Sequence, residues 1–143
     1  MDPSYKQQLK ETVILVADDD AMVRQILMEH LGTFGFQNVL EAKNGGMALR
    51  YITDPNQRID LIISDWEMPM ADGLVLLRAV RNSPFRQSLK FIMVTSQNSR
   101  ERVKISQAAR LSVDAYMIKP FRGEVLKEKV FQVLGWARKK EAG

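Results

Sequence analysis

Cysteine is absent from the 143 residues, which excludes disulfides, thiolate-ligated metals and a cysteine nucleophile. Histidine occurs once, at His30, so no set of imidazole ligands can assemble. No apolar run approaches the ~18 residues that a membrane-spanning helix requires. The amino-terminal stretch "MDPSYKQQLKET" is polar and lacks the apolar segment of a secretory signal. A cytoplasmic protein without membrane insertion is the expectation. Neither an internal repeat nor a low-complexity stretch is visible, and no glycine-rich phosphate cradle follows the first predicted strand.

Apolar residues make up 45% of the chain and charged residues 27%, the balance of an ordinary globular domain with one sizeable core. The formal charge is +4 and the isoelectric point near 9.5. Outside the terminal "ARKKEAG" the positive residues are scattered, with no alternation of basic and aromatic residues. A solvated basic tail at 137–143 is therefore expected, and no nucleic-acid partner.

Short apolar runs alternate with segments of helical period. Strands are predicted at "VILVA" (13–17), "NVLEA" (38–42), "DLIIS" (60–64), "KFIMVT" (90–95) and "AYMIK" (115–119). In the first intervening segment Val23, Ile26, Leu27 and Leu31 recur at the i, i+3, i+4 spacing of an amphipathic helix. Similar patterns follow each later strand, and the last, "GEVLKEKVFQVLGWARKK", predicts a long helix closing the chain. Strands each followed by a helix make βαβ units with a parallel sheet. Near-continuous apolar runs such as "VILVA" and "FIMV" suit strands covered on both faces. Right-handed crossovers then give a three-layer αβα sandwich.

Polar residues collect where these strands end: Asp18, Asp19 and Asp20 after the first, Asp65 after the third, Thr95 and Ser96 after the fourth, Lys119 and Pro120 after the fifth. Open parallel sheets bind ligands beyond the carboxyl ends of their strands, where the strand order reverses. With the order 2-1-3-4-5, Asp18, Asp19 and Asp65 share one pocket. Each residue alone has an ordinary explanation. Asp19 or Asp20 suits a helix N-cap and Asp72 a cap or turn; Thr95 passes for a strand residue and Lys119 for a surface one. Complementary chemistry at all these exits favours a shared site.

Three clustered carboxylates repel by ~1 kcal/mol per pair in water and ~4 kcal/mol at an effective dielectric of 20. They take up protons or hold a cation, and an all-oxygen, solvent-open set suits Mg²⁺ retaining several waters. Thr95 would donate its hydroxyl to a phosphoryl oxygen, Lys119 would neutralise another, and Asp65 is best centred to attack phosphorus.

The motifs "VADDD", "SDWEMPMADG", "MVTS" and "AYMIKPF", in this order and at this spacing, resemble the receiver domain of two-component response regulators, most closely the stand-alone CheY-like type. The resemblance spans roughly residues 10–136, leaving residues 1–9 as an extension. It implies a flavodoxin-like (βα)5 fold with a five-stranded parallel sheet of order 2-1-3-4-5. Asp65 would be the phosphoacceptor, forming an acyl phosphate with a group from a sensor histidine kinase or a histidine phosphotransfer protein. Asp19, Asp65 and the backbone carbonyl of Glu67 would bind Mg²⁺ directly, with Asp18 acting mainly through water and Asp20 a bystander or cap. Thr95 and Lys119 would contact the phosphoryl group, with a cis bond from Lys119 to Pro120.

The resemblance further implies a switch pair, Thr95 and Tyr116, and an output surface over the fourth helix, fifth strand and fifth helix that binds a downstream protein. That surface would include Asn98, Val103, Tyr116, Ile118 and Lys129. Tyr116 also reads as a static half-buried aromatic. Trp66, beside Asp65, should report on the site by fluorescence, and Trp136 should anchor the last helix. Glu67, Ser96, Gln97, Asn98 and Ser112-Val113 depart from the chemotaxis pattern, which bears on motor binding more than on phosphorylation. Three other functions remain open: a phosphorelay intermediate or phosphate sink, a Mg²⁺-dependent aspartyl phosphatase, and a flavodoxin-like nucleotide binder. The phosphatase accounts for the Asp-x-Asp spacing in "VADDDAMV" but has no cap insertion to match.

Overall fold

A computed structural model describes residues 3–96 and 101–136, with side chains at 5–96 and 106–136. Eleven elements follow one another: α1 (Pro3–Glu11), β1 (Val13–Ala17), α2 (Ala21–Thr33), β2 (Asn38–Ala42), α3 (Gly45–Thr53), β3 (Leu61–Asp65), α4 (Gly73–Asn82), β4 (Lys90–Ser96), α5 (Glu101–Arg110), β5 (Ala115–Lys119) and α6 (Gly123–Val133). The strands form one parallel sheet of order β2-β1-β3-β4-β5. The flavodoxin-like expectation is met.

Alternation of side chains across the strands divides the interior into two layers. Leu15, Ala17, Ile62, Phe91 and Met93 pack with Ala48, Ile52, Leu76, Leu77, Val80 and Ala108, so α3, α4 and α5 cover one face. Ile14, Val16, Leu61, Ile63, Ile92, Val94 and Met117 pack with Leu9, Leu27, Leu31, Leu126 and Val130, so α1, α2 and α6 cover the other.

Helix α1 has no counterpart among the predicted elements. Pro3 occupies its first position, where a missing N–H costs nothing. Tyr5 and Leu9, four residues apart, face the core, and Leu9 is buried. Asn38 Nδ2 donates to the Lys10 carbonyl at 2.6 Å, satisfying one of the helix's terminal acceptors.

Helix α6 stops at Val133, short of the predicted span. Gly135 takes a left-handed φ of 78°; its N–H donates to the Gln132 carbonyl and that of Trp136 to the Phe131 carbonyl. This pair of bonds is a Schellman cap, with Trp136 packing back on Phe131 at 5.7 Å. Helix α2 ends the same way: Gly35 has φ 108°, and Gly35 and Phe36 donate to the carbonyls of Gly32 and Leu31. The two caps bring Phe36 and Trp136 into a stack at 5.7 Å, and Tyr5 closes on Trp136 edge-on at 5.4 Å. Trp136 does anchor the end of the last helix.

On α2, Leu27 and Leu31 are buried as predicted, but Ile26 is 42% exposed. The sheet needs only a narrow stripe of this helix, because α1 and α6 share the same layer. Ser112 takes a left-handed φ of 59°, a conformation unfavourable for a residue with a Cβ. Arg81 holds it there, donating from Nη2 to the Ser112 carbonyl at 2.7 Å and to Asp114 Oδ2 at 2.8 Å.

Candidate functional site

Register places the acids. Ala17 of β1 pairs with Ser64 of β3, so the next residues, Asp18 and Asp65, leave adjacent strands side by side. Asp65 is the last residue of β3. Carboxylate oxygens of Asp18, Asp19 and Asp65 all lie within 4.8 Å of one another. Asp18 is fully buried, Asp65 partly, and Asp19 is exposed. The pocket is therefore closed at the bottom and open at the rim.

Lys119, at the end of β5, reaches into it. Its Nζ lies 3.2 Å from Asp18 Oδ2 and 3.2 Å from Asp65 Oδ1. One ammonium thus serves two carboxylates. Burial opposes the charge on Lys119, but the Asp65 and Asp18 carboxylates together outweigh it and hold the ammonium's pKa above the ordinary lysine value. Half a counter-charge is not enough for Asp65. Burial first, then the charge on Asp18, push its carboxyl up to about 6, with Lys119 pulling the other way. The cluster carries more negative charge than the protein neutralises.

The strand ends and loops are built to hold this geometry. Asp20 caps α2, its Oδ1 accepting from the N–H of Met22 at 2.9 Å and of Val23 at 3.3 Å, which frees Asp19 for the pocket. Asp72 caps α4 through the Val75 N–H at 2.9 Å. After Asp65 the Trp66 N–H donates to the Val94 carbonyl at 2.8 Å, and the Gly73 N–H returns to the Trp66 carbonyl at 2.6 Å. A Cβ at Gly73 would stand 2.7 Å from the Asp65 carbonyl oxygen, so only glycine lets α4 begin there. Met70, with φ 75°, is the centre of a tight turn in which the Ala71 N–H donates to the Pro69 carbonyl at 2.9 Å. Such a turn is strained for a side-chain-bearing residue.

The structure brings Asp18, Asp19, Asp65 and Lys119 together. Thr95 is buried, at 1% exposure, one residue beyond Val94, the register partner of Asp65. Its side chain leaves the sheet on the α5 side, the face shared with Tyr116 and with its partner Ile118. Tyr116 is half-buried against the core of that face. Glu67 is exposed, and Lys129 is half-buried on α6. Asn98 and the side chain of Val103 lie outside the described residues. The Lys119–Pro120 bond is cis. Trp66 is buried, at 5% exposure.

One contributor's role escaped the sequence. Arg24 extends back from the first turn of α2, donating from Nη1 to the Asp18 carbonyl at 2.8 Å and from Nε to Glu41 Oε1 at 2.7 Å. In the sequence Arg24 serves only to set the register of the triple aspartate against the family's first helix; its contacts with Asp18 and Glu41 leave no mark there.

The donor set fits a hard divalent cation: all oxygens, converging from two strand ends, with charge in excess. A parallel sheet with acids at the carboxyl ends of the neighbouring strands β1 and β3, and a lysine reaching them from the edge strand β5, is the arrangement of a signal-receiver domain. The chain belongs to the response regulator receiver domain family, which matches residues 14–131.

Within that family it is similar to the chemotaxis protein CheY of Pseudomonas aeruginosa. The two are 38% identical over 120 residues, which cover 84% of this chain and 94% of that one. It is 35% identical to the chemotaxis protein CheY1 of Helicobacter pylori over 122 residues, 85% of this chain and 96% of the other. Among solved structures, the chemotaxis response regulator CheY4 of Vibrio cholerae superposes with a TM-score of 0.75 at 29% identity, covering 85% of this chain and 98% of that one. A response regulator receiver protein from Pseudomonas putida gives 0.74 at 30% identity, with 85% and 96% covered. Among the described residues no helix is long and apolar enough to cross a membrane.

Proposed function

We propose that this protein is a phosphorylation-switched regulator in which Asp65 accepts a phosphoryl group from a histidine kinase or a histidine phosphotransfer protein. The observation that carries the reading is the meeting of Asp18, Asp19 and Asp65 with the Lys119 ammonium between two of them. Asp18, Asp19, Asp65 and the Glu67 carbonyl would hold Mg²⁺. When bound, the ion supplies positive charge that offsets the repulsion between the acids and the incoming phosphoryl oxygens.

The chain's own residues do the rest. Asp65 must be ionised to attack; with its carboxyl at about 6, it is mostly ionised at neutral pH even without metal. An Asp65 oxygen bonds to phosphorus as the bond from phosphorus to the donor's nitrogen breaks; with the donor ring protonated on its other nitrogen beforehand, this leaves an acyl phosphate on Asp65 and a neutral imidazole on the donor. Lys119, 3.2 Å from Asp65 Oδ1, stays charged throughout and offsets the negative charge of the phosphoryl group as the acyl phosphate forms. Thr95 donates its hydroxyl to a phosphoryl oxygen. Tyr116, half-buried on the same face, turns inward behind it. This couples the added charge to a two-state surface over α5, β5 and α6, with Asn98, Val103, Tyr116, Ile118 and Lys129 contacting a protein partner.

The unit that does this is residues 10–136 together with the preceding α1 residues, whose Tyr5 and Leu9 pack into the same core, and it works in the cytoplasm. Its chemistry is limited to its own phosphorylation and dephosphorylation. Relatives that bear the name chemotaxis protein support a chemotaxis pathway for this reading. Incubation with Mg²⁺ and acetyl phosphate, followed by intact mass, should show one added phosphoryl group, and Asp65→Asn should abolish it. Multiple-turnover hydrolysis of assorted phosphate esters, or an unchanged adduct on Asp65→Asn, would overturn the reading.

A further inference from the structure

The carboxylates of the pocket are not held alike. Asp18 is secured at every polar atom: its N–H donates to the Ala42 carbonyl at 3.2 Å, its Oδ1 accepts from the Asp20 N–H at 2.9 Å, and its Oδ2 faces Lys119. Its carbonyl accepts from Arg24. Asp65 is fixed by its strand and by Lys119. Asp19 is exposed, and among the described residues no side chain donates to its carboxylate. What places it is the peptide linking it to Asp18, and the oxygen of that peptide is the one Arg24 grips.

Arg24 is itself well anchored. Its side chain is 13% exposed and its Nε pairs with Glu41. Glu41 sits on β2 in register with Val16, one residue before Ala42, whose carbonyl takes the Asp18 N–H. The Asp18 backbone is thus held at its N–H by the β2 backbone directly and at its carbonyl by β2 through Glu41 and Arg24. Because Glu41 pairs with the guanidinium, the grip comes with little net positive charge beside a site meant for a cation.

We propose that Arg24 is a positioning residue for divalent-cation binding, acting through the Asp18 carbonyl to aim Asp19 at the site that Asp18 and Asp65 define. This rests on the Mg²⁺ reading above. A role through charge alone predicts the opposite effect, since removing a cation from beside the pocket should tighten Mg²⁺. A purely structural role predicts lower thermal stability with unchanged Mg²⁺ affinity. The three roles therefore separate in one titration.

The experiment is a Mg²⁺ titration of wild type, Arg24→Ala, Arg24→Lys and Glu41→Gln, followed by Trp66 emission and by calorimetry, with the metal-free melting temperature recorded beside it. Losing a group that orients a metal ligand weakens binding by about tenfold or more, and that is expected for Arg24→Ala. Arg24→Lys keeps one donor and should recover part of the loss, and Glu41→Gln should show a smaller loss. If Arg24→Ala fails to fold, Arg24→Lys still gives the sign. Amide exchange at Asp20 in metal-free Arg24→Ala should be faster than in wild type. Equal or tighter Mg²⁺ binding in the Arg24 variants, with saturable binding by wild type, would overturn this inference alone. A wild type that binds no Mg²⁺ overturns both it and the reading beneath it.

Discussion

Replacing Asp65 by Asn should make the metal-free protein more stable, and the gain should exist only above the acid range. The Asp65 carboxyl sits at about 6 in the folded protein against an ordinary 3.8. The folded state therefore keeps a proton that the unfolded chain has already released. Stability is undiminished below the unfolded value and is lost as pH rises through the folded one. At about 1.4 kcal/mol per pH unit, the gap between 3.8 and 6 corresponds to at most about 3 kcal/mol. Water reaches the pocket rim, and Asp65 keeps some exposed surface, so screening reduces this to about 1–2 kcal/mol. Asparagine removes the cost without stranding Lys119, which retains Asp18.

Thermal unfolding in a chelator checks it at pH 4, 6 and 8. The variant should match wild type at pH 4 and melt higher by about 2–8 °C at pH 8, given roughly 2–4 °C per kcal/mol for a chain of this size. Mg²⁺ should then reverse the order, because a hundredfold excess over its dissociation constant adds about 2.7 kcal/mol to whichever protein binds it. A wild type at least as stable as Asp65→Asn at pH 8 without metal would refute the electrostatic reasoning. So would a gap of the same size at pH 4 and pH 8.

Lys119→Met leaves Asp18 and Asp65 facing each other without a cation. The metal-free protein should lose about 1–2 kcal/mol at pH 8, less than for a fully buried pair, and calorimetry should show tighter Mg²⁺ binding than in wild type. Leu9→Ala removes a buried anchor of α1 and should cost about 2–3 kcal/mol in chemical denaturation, with the yield of the phosphoryl adduct unchanged.

The sheet was legible because its central strands are covered on both faces and so read as apolar runs, with punctuation between them. The acids were legible because each interrupts such a run where a strand ends; Asp65 proves to be within β3 itself. Helix α1 was not, since among its described side chains Leu9 is buried and Tyr5 partly so in a polar segment, too few positions to establish a period. The repeated pattern of Gly35-Phe36 and Gly135-Trp136 was available as a stop signal, yet the amphipathic run around Gly135 masked it. Ile26 matched the helical stripe, but periodicity does not say how many neighbours share a layer. Arg24 was beyond reach for another reason: its role depends on a carbonyl six positions back and an acid on another strand, and neither contact leaves a mark on residue type.

The contact between Tyr5 and Trp136 joins segments at opposite extremes of the described chain. Closing a loop that long costs entropy that grows with the logarithm of its length, and nothing offsets that cost until the intervening layers have condensed. The aromatic cluster is therefore a seal on the finished domain. Its near-ultraviolet dichroism reports whether the whole has assembled, while the other indole, Trp66, lies in the opposite core layer beside the acid-bearing strand end.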